Sequence, residues 1–485
     1  MKYSRWLLLA ALASVAAASN VFSQTARPLV LTHVTVIETF VGRSQTDQTV
    51  LITGSRITAL GPTGSFKLPK NATLIEARGK FLIPGLWDMH VHLAGVSADP
   101  AWSKQVFLPL LIANGITGVR DMGGDLEALL SWRHDIEAGI LLGPHIIAAG
   151  PWLSASGQKS QEQYPVANAE AARAAVRNLK QRGADFIKIL TLPSRETFFA
   201  VADEAKRQGL RFSGHIPNSV TASEASDAGI QSIEHIVYSS LALDCSSRED
   251  ELRKAADQAR MSHDQRASAA ILPQAIESYS PEKAAALWAR FKRNGTWVVP
   301  TLASVRAILP PRISAEQQAQ DPQLDFVPQS LRKKWDPRSP ENRISESAEA
   351  WWTRQFANDF KLAGEMHRAG VAMLAGSDSL DRFVFPGESL HQELQLLQDV
   401  GFTPIEALQA ATRDPAVFLG REMDFGGVAV GRIADLVLLD ANPMDDVANA
   451  RKISAVIRGG QFLDRAALDL LLAQARAAAK AVPVN

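Results

Sequence analysis

Cysteine is almost absent from this sequence, because Cys245 is the single one among 485 residues. A chain with one cysteine cannot form an internal disulfide, so its stability must come from its core and from any metal that it binds. One thiolate also excludes the zinc clusters that several cysteines build. Any metal site in this chain must therefore use histidine and carboxylate ligands.

An excess of charge of either sign is also missing, since 51 basic side chains stand against 51 acidic ones. This balance gives no indication of a nucleic acid or an anionic membrane surface as a partner. With 46% hydrophobic residues, the chain can bury a large core. Its length suggests one large domain with a smaller one, or two to three average domains.

The start of the chain lacks a hydrophobic run long enough to span a bilayer, which takes about 20 residues. The apolar run from Trp6 to Ala18 instead follows Lys2 and Arg5 and precedes small residues, as in a secretory signal peptide. The sequence predicts a signal peptide over 1–23 and a periplasmic or secreted protein that has no membrane contact after its removal. An uncleaved N-terminal anchor is the alternative.

Short runs of alternating β-branched residues lie near both chain ends. They include LVLTHVTVIETFVG and QTVLITGSRITALG at one end and GGVAVGRIADLVLLDANP at the other. Such runs, broken by Gly, Asn and Asp, are typical of antiparallel strands. We predict a small sheet over 27–84 and 421–465, followed by a C-terminal helix or tail over 466–485.

The middle of the chain alternates short apolar runs with stretches of helical period, such as AEAARAAVRNLKQRG. Eight such units over 85–420 favour a (β/α)₈ TIM barrel with insertions, in which functional side chains collect at the C-terminal ends of the strands. Two connections, Val237 to Thr296 and Leu302 to Ala372, are long and resemble lids or mobile surface. The predicted strands are Leu86–His92, Thr117–Asp121, His145–Gly150, Phe186–Leu190, Arg211–His215, Ser232–Ile236, Trp297–Thr301 and Met373–Asp378.

Six side chains that could bind metal fall at the ends of these strands. His90 and His92 are two residues apart, so they point to the same face of a strand and can reach one cation. One such histidine alone is more often a hydrogen-bonded core residue, but the coincidence at several strands favours a metal site. Imidazole and carboxylate suit zinc or a similar divalent ion. The six are His90, His92, Lys188, His215, His235 and Asp378.

Lys188 is the unexpected member, because an ammonium group repels a cation. It could be an ordinary lysine that pairs with Asp185 or with a loop. Alternatively, burial could depress its pKa and expose the free amine that reacts with carbon dioxide, giving a carbamate that behaves as a carboxylate. The residues by themselves leave both readings open.

Ordered motifs on seven of the eight strands resemble the amidohydrolase superfamily, and more closely its imidazolonepropionase-related branch with Xaa-Pro dipeptidases. They are PGLWDMHVHL, GITGVRDMGG, ADFIKIL, FSGH, SIEH, LAGSDS and GFTPIEALQAATRDPAVFLG with GRIADLVLLDANP, within Leu29 to Leu463. The resemblance implies a barrel with a β-sandwich built from both chain ends. It also implies an enzyme that hydrolyses C–N bonds, and often a homo-oligomer.

The resemblance implies two divalent ions, usually Zn²⁺. His90, His92 and Asp378 would bind the buried ion, His215 and His235 the exposed one, and an N6-carboxylated Lys188 together with a hydroxide would bridge them. Asp378 would accept the proton of that nucleophile and pass it to the leaving group. A peptide, dipeptide or N-acyl amino acid, including aromatic amino acid conjugates, is the expected substrate. A lactonase or esterase could use the same site, and a non-catalytic metal-binding module is the distant alternative.

Three further residues are weaker candidates for contact with the substrate. Tyr238 lies three residues after His235 and could donate to an oxyanion, or it could be a core or rim tyrosine. Arg120, beside Asp121, could form a structural ion pair or meet a charged substrate group. Lys159 lies where close relatives carry a histidine, so it could meet a substrate carboxylate, and the substrate of relatives does not transfer directly.

Overall fold

The computed structural model describes residues 27–95, 100–155, 159–192, 194–309 and 314–481. The signal peptide predicted over 1–23 lies outside the described residues. No helix in these ranges is both long enough and apolar enough to pass through a membrane.

Strands occur near both ends and in the middle of the described residues. The sequence alternation is followed only in part: in β1, Val34 and Val36 are buried on either side of the half-buried Thr35, but Leu29, Val30 and Leu31 are all buried. In chain order they are β1 Leu29–Glu38, β2 Arg43–Thr53, β3 Arg56–Pro62, β4 Thr73–Glu76, β5 Phe81–Pro84, β6 Leu86–Val91, β7 Ile116–Asp121, β8 His145–Ala148, β9 Trp152–Ser154, β10 Gln163–Pro165, β11 Phe186–Ile189, β12 Arg211–Gly214, β13 Ser232–Glu234, β14 Trp297–Val299, β15 Leu436–Leu439, β16 Ile453–Arg458 and β17 Gln461–Asp464.

Helices occupy most of the remaining described residues. They are α1 Pro100–Trp102, α2 Leu108–Ala113, α3 Leu126–Glu137, α4 Ala169–Gln181, α5 Arg195–Arg207, α6 Ala222–Asp227, α7 Leu241–Asp244, α8 Glu249–Met261, α9 Gln265–Glu277, α10 Pro281–Asn294, α11 Leu302–Ile308, α12 Ala315–Gln318, α13 Gln329–Trp335, α14 Glu346–Ala369, α15 Glu388–Asp399, α16 Pro404–Ala410, α17 Arg413–Leu419 and α18 Arg465–Ala481. A π-helical segment, Ser103–Phe107, joins α1 to α2.

Strands from both chain ends join in one sheet, as the sequence predicted. Its order is β17-β16-β15-β5-β1-β2-β3, and β4 also pairs with β1. The link between the two ends is the antiparallel pair β5 and β15, in which Leu82 lies opposite Leu438. The sandwich that the family resemblance implied stays a prediction, because the strands are connected as a single sheet.

The middle strands are parallel. Seven of the eight predicted strands occur at the predicted places, and two short strands that were not predicted, β9 and β10, are also present. They form one sheet of order β6-β7-β8 and another of order β10-β9-β11-β12-β13-β14. Close packing inside them depends on small residues. A Cβ on Gly118 of β7 would lie 2.1 Å from the ring of Trp87, so only glycine lets these neighbouring strands approach.

The eighth expected strand, Met373–Asp378, is not a continuous strand, and this part of the prediction is wrong. The segment forms isolated backbone bonds instead, from Leu374 N–H to Val298 at 3.0 Å and from Asp378 N–H to His90 at 2.8 Å. The chain leaves the extended conformation at Asp378, whose φ is 61°. The segment therefore contacts β14 on one side and β6 on the other without a regular ladder.

The two long connections, which the sequence suggested to be lids or mobile surface, are largely helical in the part that the structure describes. The first contains α7 to α10, and the second contains α11 to α14. In the second, Ser314 and Ser345 accept hydrogen bonds from backbone N–H groups at the starts of α12 and α14, which is the usual role of an N-cap serine. Part of the polar composition of the second connection thus comes from residues that cap its helices.

Candidate metal centre

The expected ligands lie at one end of the parallel strands. His90 is in β6 and Lys188 in β11, and His215 and His235 directly follow β12 and β13. Asp378 ends the irregular segment between β14 and β6. Since parallel strands place their C-terminal ends at a common edge, the fold brings together side chains that are far apart in sequence.

Three of these residues form a compact group of ligand atoms. One atom each of His90, His92 and Asp378 lies within 4.8 Å of the others. The Oδ1 atom of Asp378 is 3.3 Å from Nε2 of His90 and 3.3 Å from Nε2 of His92. Gly376 permits this approach, because a Cβ there would lie 2.8 Å from Cβ of His90.

The other two predicted histidine ligands, His215 and His235, lie next to this group. The ring centroid of His235 is 4.7 Å from that of His90 and 5.0 Å from that of His215. Lys188 is buried, and its charge lowers the pKa of His90, His215 and His235, which places it among them. The structure therefore gathers all six predicted residues at one place.

Hydrogen bonds on the far side of each ring fix which nitrogen faces the site. Nδ1 of His90 lies 2.8 Å from Glu234, and Nδ1 of His92 lies 3.0 Å from the carbonyl oxygen of Gly123. A carboxylate and a carbonyl only accept, so Nδ1 carries a proton in both rings, and in His90, whose pKa is lowered by burial, Nε2 keeps its lone pair. Nε2 of His90 is buried and has no hydrogen-bond partner among the described residues, which fits a metal ligand.

His235 is held in a similar way by Thr301. Its Nδ1 lies 2.6 Å from Oγ1 of Thr301, and that hydroxyl donates its own proton to the carbonyl of Pro300 at 2.8 Å. The hydroxyl therefore accepts from Nδ1. Thr301 has a φ of 48° and His235 a φ of 59°, a conformation that such residues rarely adopt and that is typical of functional sites.

Burial keeps three of the histidines neutral. It lowers the pKa of His90 to about 4 and that of His235 to about 3, and it holds the pKa of His215 well below its usual value, with Lys188 acting in the same direction. Neutral imidazole is the form that binds metal, since protonation removes the lone pair. These three side chains are ready to bind a cation at neutral pH.

His92 and Asp378 form the polar pair of the group. Burial alone would lower the pKa of His92, but the hydrogen bond and charge of Asp378 raise it overall. Burial raises the pKa of Asp378. The charge interactions with His90, His235 and His92 and the hydrogen bond from His92 lower it by more, so this carboxyl titrates below its ordinary range. Asp378 is therefore an ionised carboxylate, able to bind a cation or accept a proton.

Lys188 is almost completely shielded from solvent, and burial lowers its pKa to about 8, against the opposing charges of Glu234 and Asp378. Part of the amine is thus uncharged near neutral pH. The alternative pairing with Asp185 is wrong. The carboxylate of Asp185 binds Arg133 at 2.8 Å and the backbone N–H of Ala148 at 2.8 Å instead.

Arg120 forms a structural ion pair, and its partner is Glu234 at 2.8 Å. Its remaining donors bind the carbonyl of Met89 at 2.7 Å and the hydroxyl of Ser232 at 2.8 Å. Because only 1% of its side chain is exposed, its donors are used inside the protein. These donors of Arg120 are therefore not available for the predicted contact with a substrate.

The other two candidate substrate contacts are accessible. Tyr238 is 46% exposed and its ring stacks on His215 with centroids 5.4 Å apart. Burial, together with Asp378, raises the pKa of its hydroxyl to about 12, so it remains a hydrogen-bond donor. Lys159 is exposed, with Nζ 4.6 Å from the centroid of the Tyr164 ring.

Two buried carboxylates behind the ligands were not identified from the sequence. Glu234 joins His90 to Arg120, and Asp88 accepts from the hydroxyl of Ser377 at 2.6 Å and from its N–H at 2.9 Å. Burial raises the pKa of Asp88 to about 7. The available signal was their position, since each lies one or two residues before a ligand histidine in an apolar strand.

The parallel strands, the clustered histidines and the ionised aspartate form a group that could hold a metal ion, as in metal-dependent hydrolases. Residues 81–463 match the model of the Amidohydrolase family, and the chain belongs to this family. It is a hydrolase of the kind that acts on amide bonds, and members of the family typically bind metal.

Two curated proteins illustrate the relationship. The chain is 22% identical over 442 residues to ochratoxinase of Aspergillus niger, covering 79% of this chain and 75% of that protein. It is 32% identical over 120 residues to imidazolonepropionase of Shouchella clausii, covering 21% of this chain and 25% of that one. The second similarity confirms the branch that the sequence motifs indicated.

A crystal structure of a Xaa-Pro dipeptidase with methionine bound in its active site is also similar. Its TM-score is 0.65 at 20% identity, over 90% of this chain and 100% of that chain. At this identity the likeness concerns the fold alone, and it implies a TIM barrel with an extra domain.

Proposed function

We propose that this protein is an exported binuclear metal-dependent amidohydrolase that cleaves a peptide, a dipeptide or an N-acyl amino acid. The observation that carries the proposal is the Nε2 atom of His90, buried without a partner beside His92 and Asp378. A buried polar atom with no partner is costly unless a ligand completes it. The similarity to ochratoxinase and to a Xaa-Pro dipeptidase supports the reaction class.

The residues present fit two divalent ions, most simply Zn²⁺. His90, His92 and Asp378 would hold one, His215 and His235 would hold the other, and Lys188 as N6-carboxylysine would lie between them. When bound, such ions lower the pKa of water from 15.7 to roughly 7 and polarise a carbonyl. The lowered pKa of the buried Lys188 amine, part of which is uncharged near neutral pH, supports carboxylation.

The protein's own groups would then handle protons and orientation. Asp378 is ionised and partly accessible, so it would accept a proton from the attacking water and deliver it to the leaving nitrogen. Tyr238 would donate its hydroxyl proton in a hydrogen bond to the developing oxyanion. Glu234 and Thr301 would hold His90 and His235 in the required orientation through Nδ1.

We further propose that the parallel strands close into a (β/α)₈ barrel over 85–420, with a small sandwich from both chain ends. Support for closure comes from the bonds of the segment 372–379 to β6 and β14, and from the bond of Asp185 N–H to the carbonyl of Ala148 at 2.9 Å between β8 and β11. The signal-like start of the chain supports a periplasmic or secreted location.

A substrate panel with and without chelator tests the reaction. We expect hydrolysis of several dipeptides or N-acyl amino acids by the metal-loaded protein, because the site activates water through bound cations. Chelation should abolish this activity, and Zn²⁺ should restore it. Release of free amino acid is the measurement, with matched esters and lactones as comparison substrates. Amide hydrolysis that survives complete metal removal would rule out the mechanism.

Replacing Lys188 by Ala should reduce the metal content from two ions per chain to one or none. The variant removes the group proposed to lie between the ions, while the histidines stay in place. Metal per chain, measured by elemental analysis after dialysis, gives the result. Lys180→Ala, at an exposed lysine on α4, is the matched control and should keep both ions. Two ions with full turnover in the Lys188 variant would contradict the bridging role.

A further inference from the structure

A cavity of about 410 Å³ is formed mainly by the long second connection and by residues 381–383, which follow Asp378 along the chain. We call it the insertion pocket. Its volume is in the range of sites that hold small ligands. Apolar side chains cover much of its wall, and arginines complete it. Its defining residues are Ala307, Ile308, Leu309, Ile344, Arg382 and Phe383.

One residue of the insertion pocket is close along the chain to the metal centre, and its charge interacts with residues of that centre. Asp381, which lines it, follows Asp378 by three residues. Burial raises the pKa of Asp381, the charge of Asp378 raises it further, and His92 lowers it. Asp381 also raises the pKa of Tyr238. A substrate at the metal centre could therefore extend into this cavity.

Two arginines of the pocket lack a carboxylate partner. Neither Arg343 nor Arg382 forms an ion pair within the part of the chain that the structure describes. The guanidinium of Arg382 donates only long bonds of 3.4 Å to the carbonyls of Trp335 and Asn342, and its buried Nε has no acceptor. A guanidinium in this state would bind a carboxylate with two charge-assisted hydrogen bonds.

Burial lowers the pKa of Arg382 and the charge of Asp381 opposes this effect, but the two groups form no ion pair within the part of the chain that the structure describes. The carboxylate of Asp381 accepts the backbone N–H of Arg382 at 2.7 Å, and Glu349 is exposed near the start of α14. An adjacent cavity of about 260 Å³ shares Pro337 and Phe383 with the pocket. Together the two cavities are lined by more basic than acidic side chains: Arg332, Lys333, Arg338, Arg343 and Arg382 against Asp336, Glu349 and Asp381.

We propose that the insertion pocket binds an apolar group of the substrate that ends in a carboxylate, with the carboxylate on Arg382 and the apolar body against Ile308, Leu309 and Phe383. The proposal rests on the amide hydrolysis proposed above and assigns its substrates an acidic, hydrophobic extension beyond the scissile bond. Arg382 would determine which amides bind and would take no part in the cleavage itself.

Three ligands with one apolar body test the pocket by calorimetry on the purified full-length protein: 4-phenylbutyrate, 4-phenylbutyramide and 4-phenylbutylamine. We expect the acid to bind about tenfold or more tightly than the amide, since it alone can accept two charge-assisted bonds. The amine should bind most weakly. In the variant Arg382→Gln, affinity for the acid should fall about tenfold while affinity for the amide stays unchanged.

Two further variants separate the pocket from other effects. Ala307→Phe fills the cavity and should weaken both the acid and the amide. Arg354→Gln is the matched control, because this arginine on α14 is 52% exposed and pairs with Glu277 outside the pocket. It should change neither affinity. Thermal unfolding of each variant shows whether the fold is retained.

The outcomes distinguish this proposal from the proposed reaction. Equal binding of acid and amide, preference for the amine, or an acid affinity unaffected by Arg382→Gln would overturn the pocket assignment. The last result would also be expected if the carboxylate bound only to metal ions. Selective binding of the acid without hydrolysis of any amide would support the pocket assignment and overturn the proposed amide hydrolysis. Amide hydrolysis without selective binding would support the proposed reaction and overturn the pocket assignment.

Discussion

Replacing Asp378 by Asn should reduce kcat for an amide substrate by about 10³-fold or more, because a proton-transfer group typically contributes about 10²–10⁴-fold and the metal contact of this residue would also be weakened. Asn cannot accept the proton of the attacking water. It also replaces an ionised oxygen, 3.3 Å from the Nε2 atoms of both His90 and His92, by a neutral group. Steady-state kinetics on protein of known metal content gives the measurement.

The control for this variant is Asp399→Asn at the exposed end of α15, where the side chain accepts from Gln395 at 3.1 Å. It removes the same charge far from the centre, so kcat should not change. Metal content separates the two roles of Asp378. Loss of turnover with both ions retained assigns it proton transfer, and loss of an ion assigns it binding. A variant with a tenth or more of the normal kcat at full metal content would show that another group accepts the proton.

The ligand set could be predicted because its members obey a local rule. Each of His90, Lys188, His215 and His235 lies at the end of a short apolar run, and parallel strands bring such ends together. The spacing of His90 and His92 placed both on one face without knowledge of any other residue. These inferences need only the strand pattern, which is strong in buried parallel strands.

The groups behind the ligands could not be predicted, because their partners are distant in sequence. Arg120 and Glu234 are 114 positions apart, and Glu234 and His90 are 144 apart. Nothing local to Arg120 distinguishes Glu234 from the adjacent Asp121 as its partner. Asp121 is not the partner of Arg120, because its carboxylate accepts hydrogen bonds from the backbone N–H groups of Leu93 and Gly123.

The eighth strand and the long connections show a second limit of the sequence. The run from Met373 to Asp378 has strand-like composition, but its geometry is set by the requirement to reach His90 through Gly376. In the second connection, Pro and charged residues suggested a lid or mobile surface without indicating its helices, two of which are capped by Ser314 and Ser345. The insertion pocket arises between these helices and Arg382, so it has no signature along the chain.

Replacing Glu234 by Gln should lower the free energy of unfolding by about 3–5 kcal/mol, the range found when one partner of a buried ion pair is removed. Glu234 and Arg120 are 0% and 1% exposed, so the guanidinium would remain charged inside the protein without an anion. Arg120 and His90 hold the pKa of Glu234 below its usual range despite burial, as expected of a carboxylate that is ionised in the folded state. Gln keeps only one acceptor oxygen, so either the guanidinium of Arg120 or Nδ1 of His90 would face an NH₂ group instead of an acceptor.

Denaturant unfolding in the presence of chelator isolates this effect from metal binding, which would otherwise stabilise the folded state. Glu127→Gln is the matched control, because Glu127 binds Arg182 through two hydrogen bonds of 2.9 and 2.8 Å but is 66% exposed. It should cost only about 0–1 kcal/mol. The double variant Arg120→Leu/Glu234→Leu removes the charge as well as its partner, so it should be less destabilised than the sum of its single variants. Equal losses for the buried and the exposed glutamate would mean that the ion pair behind His90 contributes no more than a surface pair.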